Sequence, residues 1–526
     1  MENRQGIAGM RLASAGRALE RGSALLCAVL MLCVLPLLFH NAFFDINRIK
    51  VQAVCTAVPP LTLAFLMGHL LQGKKRIEVR GGRAVLACLL LLLLSCVVSC
   101  ARTGFEPATL TGSEGRSCGL DFMLYCGTAC VIIAFGLKDA RPLMALMMLC
   151  SSLCAALGVL NAAGIDPLGF YTFIRPGQEQ VFLSTIGNFD FFGTYLVMLL
   201  PVSAAQAIFG KRAGMRRFGA VCAAVVMLGA ASSRTDCAFA GTHLVCLALL
   251  ALSGNRWAHI ARALGLWAAA FACQAAVGPL LALSPYNPDF SGVPAYLARS
   301  GLALALCAAL AAAALLCALL AHRGVRAPGR RGLCRAALAL ALAAVLALLG
   351  AMAYFTLMDT QTPLGELEPI LRFGDSWGSY RGFIYTRALR AYGDYGWADR
   401  LFGRGMEKSR AILEPYCEAE ITALVGTYND PHCQVLQFLL TCGLFGAAAF
   451  IALYIAALRT AGRRPGEDAP RIALLVSLLA YTLVALLNVT QPILIATYLS
   501  LVALTVALSR HPGGDAQGKE NTPRES

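Results

Sequence analysis

One histidine and two arginines stand out by residue type and position. His432 closes the run Asn429-Asp430-Pro431-His432, just ahead of a long apolar stretch. A neutral imidazole near pH 7 can take a proton from a sugar hydroxyl; a hydrogen-bonded structural histidine is the plainer alternative. Arg234 lies in Ser232-Ser233-Arg234-Thr235-Asp236, a very tight turn between two apolar stretches. An arginine at that depth needs a partner or a function, and pairing with Asp236 or snorkelling to the interface would supply the former. Arg381 lies in Gly378-Ser379-Tyr380-Arg381-Gly382, followed by Arg387 and Arg390. Guanidinium binds phosphate through two parallel hydrogen bonds and stays charged, so a pair of such arginines could hold a pyrophosphate. Contact with lipid headgroups is the competing role. A fourth feature is Ser184-Thr185-Ile186-Gly187-Asn188-Phe189-Asp190-Phe191-Phe192-Gly193. Its glycines allow close backbone approach, and Asn188 and Asp190 bring polar groups to the edge of an apolar run. A helix N-cap accounts for one of those two polar groups more readily than for both.

Other chemistry is missing. The sequence has no GxxxxGK[ST], no glycine-rich nucleotide loop after a strand, and no CxxC pair with metal spacing. An ATP-driven step, a metal-held nucleotide sugar and a zinc site are therefore unsupported. Neither cofactor nor metal is expected, and a donor already activated and carried in the membrane fits better.

The elements that must position these residues follow from composition. Of 526 residues 58% are hydrophobic and only 14% charged, with a formal net charge of +15. So much apolar surface cannot be buried in soluble cores, and it excludes a disordered chain. The basic residues are scattered between apolar runs, which argues against nucleic acid as a partner. A bilayer core takes about 20 apolar residues per helix. Fourteen spans are expected, near Ser23–Phe39, Val51–Leu71, Ala84–Cys100, Gly119–Leu137, Pro142–Leu160, Asn188–Phe209, Phe218–Ser232, Asp236–Leu252, Leu264–Leu283, Ser300–Ala321, Ala336–Leu357, Cys433–Leu458, Ile472–Leu487 and Pro492–Leu508. The seventh is the shortest. The fold class is all-α: a polytopic transmembrane bundle with one long extracytoplasmic loop forming a small helical subdomain. With both termini in the cytoplasm, most Lys and Arg outside that loop fall on the cytoplasmic side, as the positive-inside rule asks. The first span follows Arg4, Arg11, Arg17 and Arg21 and reads as a retained anchor.

The long loop, about 358–432, is rich in aromatic residues and carries two of the four tryptophans, Trp377 and Trp397. These rings suit sugar stacking, and equally the packing of a subdomain on the membrane. The stretch Ser376–Tyr395 predicts an amphipathic helix across the outer mouth, broken at Gly382 and Gly393. Most of the 21 cysteines sit in apolar runs as small hydrophobes. Cys100 with Cys118, and Cys417 with Cys433, are the pairs that could face an oxidising exterior; whether they bridge is open.

Taken in order, the Gly-Asn motif at a span entrance, the Ser-Arg hairpin, the long loop with an early arginine, and a histidine before a span resemble the superfamily of O-antigen ligases and O-antigen polymerases, bacterial membrane glycosyltransferases. Gly187-Asn188-Phe189-Asp190 stands where the family tends to have Gly-Asn-Pro-Asn, and Ser233-Arg234-Thr235 where it has Ser-Arg-Gly. Gly403-Arg404-Gly405 matches its Gly-x-Gly, and His432-Cys433-Gln434-Val435-Leu436-Gln437 then Gly443-Leu444-Phe445-Gly446 its closing pattern. Cys433 replaces the usual Asn. The resemblance spans Leu183 to Leu458 and divides the chain into N-terminal helices (1–182), a ligase-like core (183–458) and a C-terminal hairpin with a tail (459–526). It implies metal-independent transfer of a glycan from a polyprenyl pyrophosphate to a hydroxyl of a glycan, lipid or protein acceptor, on the outer face of the cytoplasmic membrane. His432, Arg381 and Arg234 would be catalytic, and Asn188, Asp190, Arg387, Arg390, Gly403 and Gly405 would bind substrate. A flippase for lipid-linked oligosaccharides is the rival class; it would show two similar halves with short loops, and no such repeat is evident.

Overall fold

The computed structural model describes residues 2–43, 45–73, 81–112, 118–286, 288–417, 430–463, 466–488 and 491–510. His511, Tyr428 and Asn429 lie outside them. Fourteen apolar helices run back and forth: α1 (Gly9–Leu37), α2 (Ile46–Leu71), α3 (Arg83–Arg102), α4 (Leu120–Gly136), α5 (Arg141–Ala162), α6 (Phe189–Phe209), α7 (Ala213–Ser232), α8 (Asp236–Leu252), α9 (Trp257–Leu281), then, after the short α10 (Gly292–Arg299), α11 (Leu302–His322) and α12 (Arg330–Leu357). The loop contributes α13 (Trp377–Gly393), α14 (Trp397–Phe402) and α15 (Ser409–Leu413), before α16 (Gln434–Ala461), α17 (Ala469–Leu487) and α18 (Pro492–Arg510) close the chain. Twelve of the fourteen are long and apolar enough to cross a membrane; α4 and α8, at 17 residues each, are apolar but shorter. The chain is thus an all-α multi-pass membrane protein. The seventh span is not the short one: α7 has 20 residues.

Apolar residues on every face make both the centre and the rim of this bundle. α6 and α18 are its axis, almost wholly buried, and α12 is its rim, with no buried residue at all. A surface so apolar and so exposed is what lipid covers. Tyr481 and Tyr498 stack at 4.1 Å where α17 meets α18. His243, on α8, accepts from Trp267 Nε1 at 2.9 Å, a structural contact between α8 and α9.

Two features depart from expectation. A two-residue hairpin pairs Phe182–Leu183 antiparallel with Gly187–Asn188, directly ahead of α6. And α16 is not one straight span: Gly443 has φ +70°, ψ −168°, which breaks the helix. Its first part, Gln434–Cys442, packs both ways: Leu436 and Leu440 meet Phe383, Ile384, Ala388, Ala391, Ile412 and Leu413 of the loop, while Phe438 and Cys442 join the core of the bundle. Thr441 O accepts from Ser99 near the end of α3, beside the kink, and the apolar helix as a whole covers the expected Cys433–Leu458 span.

Candidate functional site

Arg381 opens the regular part of α13. The three residues before it, Gly378, Ser379 and Tyr380, all have positive φ (59°, 57° and 67°). For the two non-glycine residues the left-handed region costs roughly 1–2 kcal/mol each. The turn persists because it is tied down: Trp377 Nε1 donates to Ile370 O at 3.1 Å and Phe383 N to Asp375 O at 3.2 Å. The break therefore lies at 378–380 and not at Gly382. Gly382 sits inside the helix, where a Cβ would stand 2.0 Å from Gly374 O. Arg381 Nε donates to Leu487 O at 2.9 Å, the last carbonyl of α17, and Nη1 to Gly378 O at 2.7 Å. Neither acceptor is charged.

One turn along α13, Tyr385 presents its hydroxyl to Leu486 O at 2.7 Å and to His432 O at 3.1 Å. Arg381 and Tyr385 share a helix face by their i, i+4 spacing. Burial pushes the Tyr385 phenol up, and the Arg381 charge pulls it part of the way back. His432 has φ +48°, with its N–H donating to Asp430 Oδ1 at 2.9 Å; Nε2 stands 3.9 Å from the same carboxylate. The histidine turn is thus fastened from two sides, by Asp430 and by Tyr385.

Arg234 sits at the apex of the hairpin between α7 and α8 with φ +63°. Its Nη1 donates to Asp289 O at 3.0 Å, its Nη2 to Gln180 O, and its guanidinium lies 5.4 Å from the centre of the Phe189 ring. Nε is buried without an acceptor among the described residues. Burial lowers the guanidinium's pKa, and the nearby Asp289 charge opposes that. The expected partner Asp236 is engaged elsewhere. Its carboxylate accepts the Val293 N–H at the start of α10, where a Cβ on Gly292 would lie 3.0 Å from Oδ1. A carboxylate at a helix N-terminus meets unpaired N–H groups and the positive end of the dipole.

The hairpin and the loop helix meet here. Asp236 and Cys237 both lie in the electrostatic field of Arg381 and of Asp190. Asp190 belongs to the first turn of α6, whose N-cap is Asn188: its Oδ1 accepts from Asp190 N at 2.8 Å. Gly193 brings α6 against the hairpin, because a Cβ there would stand 2.5 Å from Ser233 Oγ. The preceding turn is held by Lys50, fully buried, whose ammonium donates to Leu38 O at 2.6 Å and to Thr185 O at 2.8 Å.

So the structure brings Asp190, Arg234, Asp236, Arg381, Tyr385 and His432 to one end of the bundle. Other predicted site residues stand apart from this group. Arg387 lies over the Phe383 ring at 4.7 Å, and Arg390 is exposed at the far end of α13. Gly403 and Gly405 dock the loop on α16. A Cβ on Gly403 (φ +76°) would come within 2.1 Å of Thr441 O, and Gly405 N donates to Ser99 Oγ at 3.0 Å and Thr441 O at 3.1 Å. Most loop aromatics pack: Tyr395 is buried and donates to Leu440 O, while Trp397 stays exposed. All 21 cysteines are unbridged. Among the described residues no three His, Cys, Asp or Glu side chains cluster as metal ligands would.

Sequence reasoning passed over Tyr385, Lys50 and Glu407. Glu407, at φ +63°, accepts the Cys118 N–H at 3.0 Å; burial, with Asp430 nearby, pushes its carboxyl up to about 8. A charged residue in an apolar stretch is a visible signal for Lys50. For the other two no signal is evident, since a loop tyrosine or glutamate is unremarkable until packing is known.

Residues 290–451 match the family model described as O-antigen ligase. The matched stretch contains α10 to α15 and most of α16, and with them Arg381 and His432. It supports the superfamily resemblance and, in general terms, a membrane glycosyltransferase of ligase or polymerase type. No curated protein matches the chain.

Proposed function

Taking the loop and its flanking helices as an O-antigen ligase-type module, we propose that the protein transfers a glycan from a polyprenyl pyrophosphate to an acceptor hydroxyl on the outer face of the cytoplasmic membrane, with both termini inside. One observation carries this reading. Arg234 and Arg381 come from distant parts of the chain, reach the same end of the bundle, and give their hydrogen bonds to backbone carbonyls, with no carboxylate bonded to either guanidinium among the described residues. Asp289 acts on Arg234, and Asp236 on Arg381, only through space, so both guanidiniums keep N–H groups for an anion. Pyrophosphate is the anion such a pair suits, since each guanidinium keeps free N–H groups in a planar fork.

In the proposed reaction the acceptor oxygen attacks the anomeric carbon of the donor sugar. The bond from that carbon to the pyrophosphate oxygen breaks, and its electron pair leaves on the pyrophosphate. Arg234 and Arg381 stabilise the charge that grows there. The acceptor proton passes to His432, which Asp430 and Tyr385 hold in place. Asp190 and Asn188 line the acceptor side, and Arg387 and Arg390 shape the surface along which the glycan lies, on a loop that Gly403 and Gly405 dock against α16. A cavity of about 480 Å³, lined by Gly278, Pro279, Leu281, Ala282 and Phe290, suits the polyprenyl tail. It adjoins Asp289, whose carbonyl holds Arg234.

His432→Ala tests the base assignment. In proteoliposomes loaded with lipid-linked glycan, transfer is expected to fall about 10²–10⁴-fold while donor binding is kept; near wild-type transfer overturns it. Ligase and polymerase separate in a deletion strain, where single-repeat products mean polymerase and unattached full-length polymer means ligase.

A further inference from the structure

A second cavity, of about 630 Å³, lies at the end of the bundle opposite His432, between α3 and α16. Its floor is one stripe of α16: Ala452, Ile455, Ala456 and Thr460, at the i, i+3, i+4 spacing of a single helix face. Ala84 and Cys88 of α3 form the facing wall. The channel is apolar along the helices, and three arginines close its mouth: Arg83 from the first turn of α3, Arg459 from the last turn of α16, and Arg463 just beyond it. All three are exposed, and among the described residues none of their guanidiniums meets a carboxylate or another side-chain acceptor.

Several other cations of the same end are engaged by the protein itself. Arg330 donates to Gly466 O, Arg471 stands 3.5 Å from the Asp468 carboxylate, and Arg510 donates to Ala134 O and Phe135 O. Three like charges gathered from two helices repel one another, and they are stabilised when an anion joins them. The Ala452-to-Arg463 stretch is about 16 Å long at 1.5 Å per residue, so the anion would sit at the head of an apolar channel long enough for much of an acyl chain. Basic sites between transmembrane helices recognise anionic lipid headgroups in this way.

We infer that this groove binds one anionic phospholipid, its phosphate held by Arg83, Arg459 and Arg463 and an acyl chain laid along Ala452–Thr460. The site is independent of the glycan-transfer reading. It lies at the other end of the bundle, on what the charge distribution makes the cytoplasmic face, and bears on stability and membrane placement rather than chemistry.

The test uses the full chain, delipidated in detergent and given phosphatidylglycerol, phosphatidylcholine or inorganic phosphate. Thermal unfolding and the lipid adducts seen by native mass spectrometry are the readouts. Phosphatidylglycerol is expected to raise the unfolding temperature and leave a one-lipid adduct, while phosphatidylcholine and inorganic phosphate do neither. The triple variant R83Q/R459Q/R463Q is expected to lose both effects. R212Q/R217Q, which removes two equally exposed arginines from the same end but away from the groove, is expected to keep them. Ile455→Trp fills the channel at an exposed position and leaves the arginines intact, and is also expected to abolish the adduct. Equal loss in the triple variant and in R212Q/R217Q would mean bulk headgroup contact and overturn the site. So would an equal shift with inorganic phosphate, or an adduct that survives in the triple variant or in Ile455→Trp.

Discussion

Arg381→Lys isolates what the guanidinium does beyond carrying charge. In the structure two of its N–H groups are spent, on Leu487 O at 2.9 Å and Gly378 O at 2.7 Å, which leaves the rest of the fork for ligand. A lysine has three donors on one nitrogen. If two of them satisfy the same carbonyls, one is left, and bidentate contact with a phosphate is lost. One hydrogen bond to a charged group is worth about 1.5–3 kcal/mol. At 1.4 kcal/mol per factor of ten, Arg381→Lys should lower kcat/KM for the lipid-linked donor about 10- to 100-fold. Arg381→Gln, which also removes the charge, should cost about 10²–10³-fold. The assay is the initial rate of glycan transfer in proteoliposomes at limiting and at saturating donor, beside thermal unfolding of each variant. Folding should change little, because the two carbonyls lie at a helix end and in a loop turn that water can reach. A lysine variant within twofold of wild type at limiting donor would refute the fork argument and leave Arg381 as a contact to α17 or to lipid headgroups.

Three further perturbations follow from the geometry. Tyr385→Phe keeps the ring but removes the hydroxyl that ties His432 O to Leu486 O; about 1 kcal/mol of stability and roughly tenfold in kcat should be lost with KM unchanged, and a KM effect alone would count against a positioning role. Gly403→Ala places a Cβ 2.1 Å from a backbone carbonyl at φ +76°, so a loss of at least about 2–3 kcal/mol is expected from overlap and backbone strain; an unchanged unfolding temperature would show that the loop does not dock there. Glu407 has a folded pKa of about 8 against an ordinary value of 4.5. Its neutral form is the one the fold accommodates, so its contribution is complete below pH 4.5, declines as pH rises through 8, and is lost above. Unfolding temperature measured from pH 5 to 9 should fall more steeply for wild type than for Glu407→Gln, and parallel curves would sink the assignment.

The spans were legible because an apolar run of bilayer length is a one-dimensional constraint that hydropathy reads directly. Where the reading slipped, a polar residue or a backbone angle was responsible. α7 begins at Ala213, ahead of its apolar run, because Arg216 lies inside the helix and folds back to cap Gly210 O and Lys211 O. The break at Gly443 is silent in hydropathy, since apolar residues continue on both sides, yet it bends α16 so that Leu436 and Leu440 reach the loop cluster while Phe438 and Cys442 stay in the bundle core. Gly382 and Gly443 illustrate why: a glycine can mark a break or merely a close approach, and only its neighbours in space decide which.

The same limit applies at the site, and it bears on how the site works. Sequence picked out Arg234 and Arg381 but offered Asp236 as Arg234's natural partner. Three of the other loop cations do take carboxylates: Arg372 pairs with Glu368, Arg404 with Asp399, and Lys408 with Glu106. Those pairs are satisfied and have little left to offer an anion. Arg234 and Arg381 are aimed instead by Gln180 O, Asp289 O, Gly378 O and Leu487 O, acceptors that any residue could supply and no sequence pattern displays. Carbonyls orient a guanidinium without neutralising it, and Asp236, hydrogen-bonded at the start of α10, meets Arg381 only through space. A binding site for a doubly charged leaving group needs this combination of fixed direction and unspent charge, since whatever the protein neutralises in advance is no longer free to stabilise the transition state.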